Sequence, residues 1–120
     1  MPTNTIAATI AYRSAVALAV AGAAPQPTAA YVAFGSGDRP YSPDTDDALQ
    51  AEFHRVLAEA SASGPTLTVR GTLAGSAAGS HVLREVGVFA SDGTLMGRRV
   101  VAPKEFEPET EFEVDLVFEY

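Results

Sequence analysis

Hydrophobic and polar positions alternate most regularly near the C-terminus, where every second side chain from residue 112 onward is apolar. The apolar positions are Phe112, Val114, Leu116, Phe118 and Tyr120, and the acidic positions are Glu111, Glu113, Asp115 and Glu119. A period of two places alternate side chains on opposite faces, so this pattern predicts a strand with one buried face. Residues 67–73 show the same alternation, and the apolar run 30–34 predicts a buried strand.

Two short apolar runs flank the dipeptide Asp92-Gly93. Asp-Gly readily takes the two positive-φ positions of a type I′ turn, and this turn joins antiparallel strands. We therefore predict a β-hairpin over residues 82–101, with one strand at about 82–90 and the other at about 94–101.

The N-terminal part of the chain has the spacing of a helix. In residues 5–21 the apolar positions are Ile6, Ile10, Ala17, Leu18 and Ala21. This spacing predicts a helix, and its alanine content raises helical propensity and leaves a thin flank for close packing. The candidate N-caps are Thr3, Asn4 and Thr5, and Gly22 is the candidate end. Two prolines in residues 22–29 predict a linker.

Two central segments are less regular. Residues 44–50 begin with acidic side chains, which favour a helix N-terminus, and we expect one or two helical turns there. Residues 53–60 fit a helical face and also fit a strand, and we predict a strand. The chain is thus expected to form a single domain over residues 1–120 of α+β class. In this fold the N-terminal helix precedes a β-rich part, residues 30–120, built as a mostly antiparallel sheet or sandwich.

Length and charge limit the classes of function. A domain of 120 residues buries roughly two-thirds of its unfolded surface, and the absence of cysteine excludes disulfides and thiol chemistry. The net charge is −7, and Arg98-Arg99 is the only adjacent pair of basic residues. Because phosphate binding needs lysine and arginine gathered on one face, we expect no nucleic-acid partner.

The segment from Arg13 to Ala24 imitates the charge, apolar core and small-residue cleavage site of a signal peptide. Its apolar run is mostly alanine, and its single positive charge comes late, after Ile6 and Ile10. We therefore predict that the chain is not secreted by a signal peptide. Fewer than about 20 uninterrupted apolar residues are available, so we also predict no membrane insertion.

Residues with reactive side chains form no catalytic pattern. A Ser-His-Asp hydrolase would need His54 or His81 with Ser80 or Ser91, but the Gly-x-Ser-x-Gly elbow is missing. The two histidines have no close-spaced partner, as a zinc site requires. We predict that the chain is not an enzyme and has no catalytic residues.

Other cofactor motifs are also incomplete. The run from Asp44 to Asp47 resembles the opening of a calcium loop, but Leu49 stands where glycine is needed and Arg55 where glutamate is needed. Gly35-x-Gly37 lacks the third glycine of a dinucleotide-binding fingerprint. We therefore predict no metal site and no cofactor.

Four blocks together resemble the phage tail-collar fibre family, which forms the N-terminal segment of tail fibres in tailed phages and prophages. The blocks are the alanine-rich helix ahead of Tyr31–Gly37, the run Pro40–Arg55, the hairpin Arg84–Leu95 and the alternating last strand. The hairpin is similar to the family's Arg-Glu-Ile-Gly-Leu-Phe-Asp-x-x-Gly-x-Leu signature. Ala90 departs from this signature, as does the segment Gly97-Arg98-Arg99 that follows it.

The resemblance implies a non-enzymatic virion protein that is made in the bacterial host cytoplasm and built into the tail. It further implies a homo-oligomer, with a trimer favoured, that contacts other tail or baseplate proteins. Our candidate assembly and packing residues are Ile6, Ile10, Leu18, Tyr31, Phe34 and Tyr41. The signature residues of the hairpin are Arg84, Glu85, Gly87, Phe89, Asp92 and Gly93.

Adjacent residues on a strand face opposite sides, so Arg84 and Glu85 should not pair with each other. Glu52 or a C-terminal glutamate is the expected partner of Arg84 or Arg55. Gly87 predicts either a packing slot inside the protomer or a subunit contact.

An alternative function is a small β-rich module that binds a carbohydrate or another ligand on a cell surface. Tyr31, Tyr41 and Phe53 would stack on sugar rings, and Asp38 and Arg39 would supply hydrogen bonds.

Overall fold

Two antiparallel sheets and one N-terminal helix form the fold of residues 5–120, the part of the chain that the computed structural model describes. The helices are α1 (Ile10–Val20) and α2 (Gly75–Ala78). The strands are β1 (Ala29–Gly35), β2 (Glu52–Leu57), β3 (Glu59–Ser63), β4 (Thr66–Ala74), β5 (Leu83–Ala90), β6 (Leu95–Lys104) and β7 (Glu111–Glu119). One sheet has the order β2-β1-β5-β6 and the other β3-β4-β7. The predicted α+β class and the strand at residues 53–60 are confirmed.

The main core lies between the two sheets. Its fully buried members include Val32, Phe34, Val86 and Val88 from the first sheet and Val69, Leu73 and Leu116 from the second. At Gly71 the sheets come so close that an added Cβ would lie 2.5 Å from the Cβ of Val32. Glycine is required there because a side chain would separate the sheets.

One edge of the molecule is a single run of chain that passes from one sheet to the other. Strands β2 and β3 are separated only by Ala58, whose N–H donates to the carbonyl of Ala30 at 2.9 Å. Changing sheets along one strand is a common way to close the corner between packed sheets.

Helix α1 begins at Ile10, not at residue 5, so the predicted first turn is wrong. The backbone N–H of Ile6 donates to Val117 of β7 at 2.8 Å, and that of Thr9 donates to Met96 of β6 at 2.9 Å. These contacts hold Ile6 and Thr9 against the strands, so residues 5–9 run beside the sheets and the helix begins after them. Thr9 is the N-cap, accepting from the N–H of Tyr12, whereas Thr3 and Asn4 lie outside the described residues. Gly22, with φ +81°, follows the C-cap as expected.

The hairpin of β5 and β6 is confirmed, but its turn differs from the predicted type. Within residues 5–120 positive φ values occur only at glycines, so Asp92 does not occupy the first position of a type I′ turn. The loop instead has three residues: Gly93 donates to Ala90 at 2.9 Å, and Ala90 donates to Thr94 at 2.8 Å. The Asp92 carboxylate accepts from the Thr94 N–H at 2.9 Å, so only Gly93 takes the left-handed conformation.

Candidate functional site

A long connection, residues 36–51, covers the face of the four-stranded sheet that points away from the main core. Leu49 from this connection joins Ala33, Phe89 and Leu95 in a second buried apolar cluster. The predicted helical turns at residues 44–50 do not form, and the segment has a turn followed by irregular backbone. The reason lies in the charged groups beneath it, which bind its backbone and its side chains.

Glu85 is the centre of this buried arrangement and has no solvent exposure. Its carboxylate accepts from Arg98 Nε at 2.7 Å and from three backbone N–H groups. These donors belong to Gly37 at 2.9 Å, Gln50 at 2.9 Å and Ala51 at 2.7 Å. One carboxylate therefore connects the start and the end of the covering segment.

The pKa of Glu85 reflects two opposing effects. Burial raises the pKa, whereas the Arg98 guanidinium and the three backbone N–H donors stabilise the charged form. The net pKa is lower than that of an ordinary glutamate. Glu85 is consequently held as a carboxylate and does not act as a proton donor near neutral pH.

Arg98 is fully buried and links a second acid to the arrangement. Its Nη1 lies 3.3 Å from Asp46 Oδ2, and Asp46 Oδ1 in turn accepts from Arg39 at 3.1 Å. Its Nη2 has no hydrogen-bond partner within residues 5–120. We call Asp46, Glu85 and Arg98 the buried ion cluster, since these three side chains are all buried. It holds the covering segment on the sheet, because its charges face one another and the segment's backbone.

The sequence predicted some features of this cluster correctly and missed others. Arg84 and Glu85 do not pair, as expected, and Glu85 has a partner thirteen residues further along the chain. Gly87 is a packing slot inside the protomer, because an added Cβ would lie 2.7 Å from Leu49 Cδ2. Arg98 and Asp46 were missed as site residues, although an arginine in an otherwise buried strand is a signal that an acid must meet it.

Arg55 lies at the border of the same face. Its guanidinium forms two hydrogen bonds with Glu52, at 2.8 and 2.9 Å, which confirms Glu52 as its partner. The guanidinium carbon also lies 4.1 Å from the ring centre of Phe89 and 5.5 Å from that of Tyr31. These cation–π contacts cover one face of each ring.

The six assembly and packing candidates lie in three environments. Ile6 and Phe34 are buried in the main core and are not available to another molecule. Tyr31 is half-buried, and half-buried Tyr41 donates its hydroxyl to the carbonyl of Ala7. Burial raises the pKa of Tyr41 to about 12. Only Ile10 and Leu18, which are 49% and 52% exposed, remain available for contact.

The residues of the alternative, sugar-binding prediction contact different neighbours. Tyr31 lies against Arg55, the Tyr41 hydroxyl is bound to Ala7, and the Phe53 ring stacks on His81 with centres 4.5 Å apart. Arg39 is paired with Asp46. Each aromatic ring or hydroxyl is thus already used inside the protomer.

Within residues 5–120, no three histidine, cysteine, aspartate or glutamate side chains come together as a metal site would require. In the acidic run, Asp46 points to Arg98, and Asp44 lies 3.8 Å from Arg13.

Helix α1 has an unusual environment, since Tyr12 is its only buried residue. On one side it borders a groove of about 550 Å³, which we call the terminal groove. Its lining includes Ile6, Ala7, Ala8, Tyr12, Val16 and Phe118. The other side of the helix carries an exposed line of side chains, Ile10, Ser14 and Leu18, which we call the helix ridge.

Two lining residues of the groove, Tyr12 of α1 and the C-terminal Tyr120, contact each other. The hydroxyls of Tyr12 and Tyr120 are hydrogen-bonded, and their rings meet edge to face with centres 6.3 Å apart. Burial and this hydrogen bond raise the pKa of Tyr120. The groove therefore combines apolar walls with a neutral polar end.

Comparison with protein-family models, with curated proteins and with solved structures found no match for this chain. Among residues 5–120, neither helix has the length and apolar character that crossing a membrane would need.

Proposed function

We propose that this protein is a non-enzymatic structural component of a phage or prophage tail. It assembles as a homo-oligomer, with a trimer favoured, and contacts other proteins of the tail fibre or baseplate. It is made in the host cytoplasm and functions in the virion tail. The proposal combines the resemblance of the four sequence blocks to the tail-collar fibre family with the exposed apolar surface of α1.

The observation that carries the proposal is the exposure of this helix. Ile10, Leu18 and Val20 are 49%, 52% and 79% exposed, although the sheets below provide a well-packed core. A short amphipathic helix in a monomer usually buries its large apolar side chains. Apolar side chains exposed together favour a contact with another protein chain.

The buried ion cluster supports the same class of function. Its carboxylates accept hydrogen bonds from arginines and backbone N–H groups of the same chain, and the three side chains are buried. A catalytic acid or base has to reach a substrate, whereas these groups fasten a covering segment. The arrangement favours a rigid scaffold.

The first experiment measures the mass of the protein in solution by light scattering and sedimentation velocity. We expect a species with three times the protomer mass of 12.5 kDa. A protein that remains monomeric at every concentration would contradict assembly through self-association.

The second experiment tests the tail assignment itself. Prophage of the source bacterium is induced, particles are purified by density gradient, and their proteins are identified by mass spectrometry. We expect the chain in purified particles at a fixed ratio to the tail proteins. Its presence in the lysate and absence from intact particles would contradict the proposal.

A further inference from the structure

We infer that the copies of this chain join head to tail, with the helix ridge of one protomer seated in the terminal groove of the next. This inference rests on the proposed oligomeric function and names the two surfaces that form its interface. The occupant of the groove is thus a second copy of the same chain.

Helix α1 carries the ridge on one side and borders the groove on the other, so a contact between two copies can use a different surface of each protomer. Val16 lines the groove, and Leu18 of the ridge lies about 160° away from it around the helix, at roughly 100° per residue. One helix therefore presents a convex apolar surface on one side and borders a concave one on the other. Two different surfaces of this kind produce a heterologous contact, and repetition of the contact closes a ring when the rotation allows.

The charge distribution favours another copy as the occupant. The protein has a net charge of −7, yet Arg13 is the only charged side chain in residues 1–37. The groove itself is bordered by Arg13 and Glu119, which have opposite signs. Elsewhere the surface is strongly charged, as where Arg70 meets Asp115 and Glu113. Two acidic copies can approach through these sides, where Arg13 offsets part of the charge of Asp44 and Glu119, with less repulsion than other orientations would cause.

The size of the helix also favours the head-to-tail arrangement. Helix α1 has 11 residues and is about 16 Å long, whereas a stable interface buries about 800 Å² on each partner. A contact between two ridges would use only this short surface. In a ring each protomer uses its ridge and its groove, which increases the apolar area buried per copy.

The test begins with one charged substitution on each surface. Leu18→Glu changes the ridge, and Ala7→Glu changes an exposed residue of the groove. Because a buried, unpaired carboxylate opposes association, each variant should self-associate at least about tenfold more weakly than the wild type in sedimentation velocity. Ser76→Glu, on the exposed side of α2, is the matched control and should retain the wild-type mass. Circular dichroism establishes that each variant is folded.

Chemical cross-linking then distinguishes the head-to-tail contact from a symmetric one. The chain has no cysteine, so Leu18→Cys and Ala7→Cys each introduce a single reactive thiol. A short bismaleimide should give a covalent dimer when the two variants are mixed, and none when either variant is treated alone. The mixed dimer should disappear when Leu18→Cys is combined with Ile10→Glu on the ridge.

Each other outcome overturns the inference. A dimer from Leu18→Cys alone would show that two ridges meet each other. An oligomer whose mass is unchanged by Leu18→Glu and Ala7→Glu would show that another surface is used, and the proposed function would stand. A wild-type monomer would leave the groove to a different occupant and contradict both proposals.

Discussion

The buried ion cluster and helix α1 reverse the usual distribution of side chains in opposite ways. At the cluster, charged Glu85 and Arg98 are completely buried, whereas on α1 large apolar side chains such as Leu18 are half exposed. The cluster pairs its charged groups with partners from the same chain, apart from Arg98 Nη2. The helix leaves its apolar surface without such partners. The first region fixes the covering segment on the sheet, and the second is the surface through which we propose that protomers join.

The two regions also differ in what a substitution should affect. Removing one member of a buried ion pair leaves an uncompensated charge, so the cost appears in the free energy of unfolding. Changing an exposed apolar side chain affects the folded protomer little, so the effect appears in association. The following predictions test this distinction, from the largest expected effect to the smallest.

Glu85→Gln should have the largest effect, lowering the free energy of unfolding by about 3–5 kcal/mol. The substitution leaves the buried Arg98 guanidinium without its carboxylate at 2.7 Å and weakens three backbone contacts. Urea unfolding followed by fluorescence or circular dichroism measures it. Asp115→Asn, which breaks the exposed pair with Arg70, is the control and should cost far less. If both variants lost the same free energy of unfolding, Glu85 would not be buried in solution.

Gly87→Val should lower the free energy of unfolding by about 1–3 kcal/mol, because the slot is too small for a side chain. Already a Cβ would lie 2.7 Å from Leu49 Cδ2 and 3.2 Å from the carbonyl oxygen of Gly97. Combining it with Leu49→Ala should recover part of the loss relative to the sum of the single variants. Strict additivity in this double-mutant cycle would contradict direct packing of Leu49 on Gly87.

The pH dependence of the free energy of unfolding should identify Glu85 as a carboxylate in the folded state. Because its folded-state pKa is lowered, its contribution is complete above the unfolded pKa of about 4.3 and is lost as the pH falls through the folded value. The difference in unfolding free energy between wild type and Glu85→Gln should therefore shrink below about pH 4. Other carboxylates are common to both proteins and cancel. A difference that stays constant down to acid denaturation would contradict the lowered pKa.

Leu18→Glu should change the free energy of unfolding of the protomer least, within about 0.5 kcal/mol, because the side chain is half exposed and glutamate favours helices. Thermal unfolding at a concentration where the protein is monomeric measures this effect. A large destabilisation of the monomer would show that Leu18 packs inside the protomer and would remove the contrast with Glu85.

The sequence predicted most of the fold where the pattern of residues was local. Alternation identified β4 and β7, and the Asp92-Gly93 dipeptide located the hairpin. The first turn of the helix was wrong because Ile6 and Thr9 donate to β7 and β6, which are more than eighty residues away in the chain. A local pattern carries no information about such partners.

The candidate site was predictable only in part for the same reason. The hairpin signature pointed to Glu85 and Gly87, and Glu52 was correctly considered as a partner for Arg55. The partners Asp46 and Arg98 were missed because they meet across 52 positions of sequence, and the acids around Asp46 fitted a helix N-terminus. The Asp46 side chain turns inward because it pairs with the buried charge of Arg98, and Arg98 reaches that position only in the assembled sheet.

The parallel bridge between Thr5 and Val117 and the contact of Tyr12 with Tyr120 bring the beginning and the end of the described chain to one corner. A fluorescent reporter fused after Tyr120 would therefore stand beside the terminal groove, and in the proposed ring it would hinder the next copy from entering. A circular permutant that joins Tyr120 to Thr5 and is reopened at Glu109, in the exposed turn before β7, would retain all seven strands. Its new ends would lie at the end of β7 opposite Tyr120 and leave the corner clear.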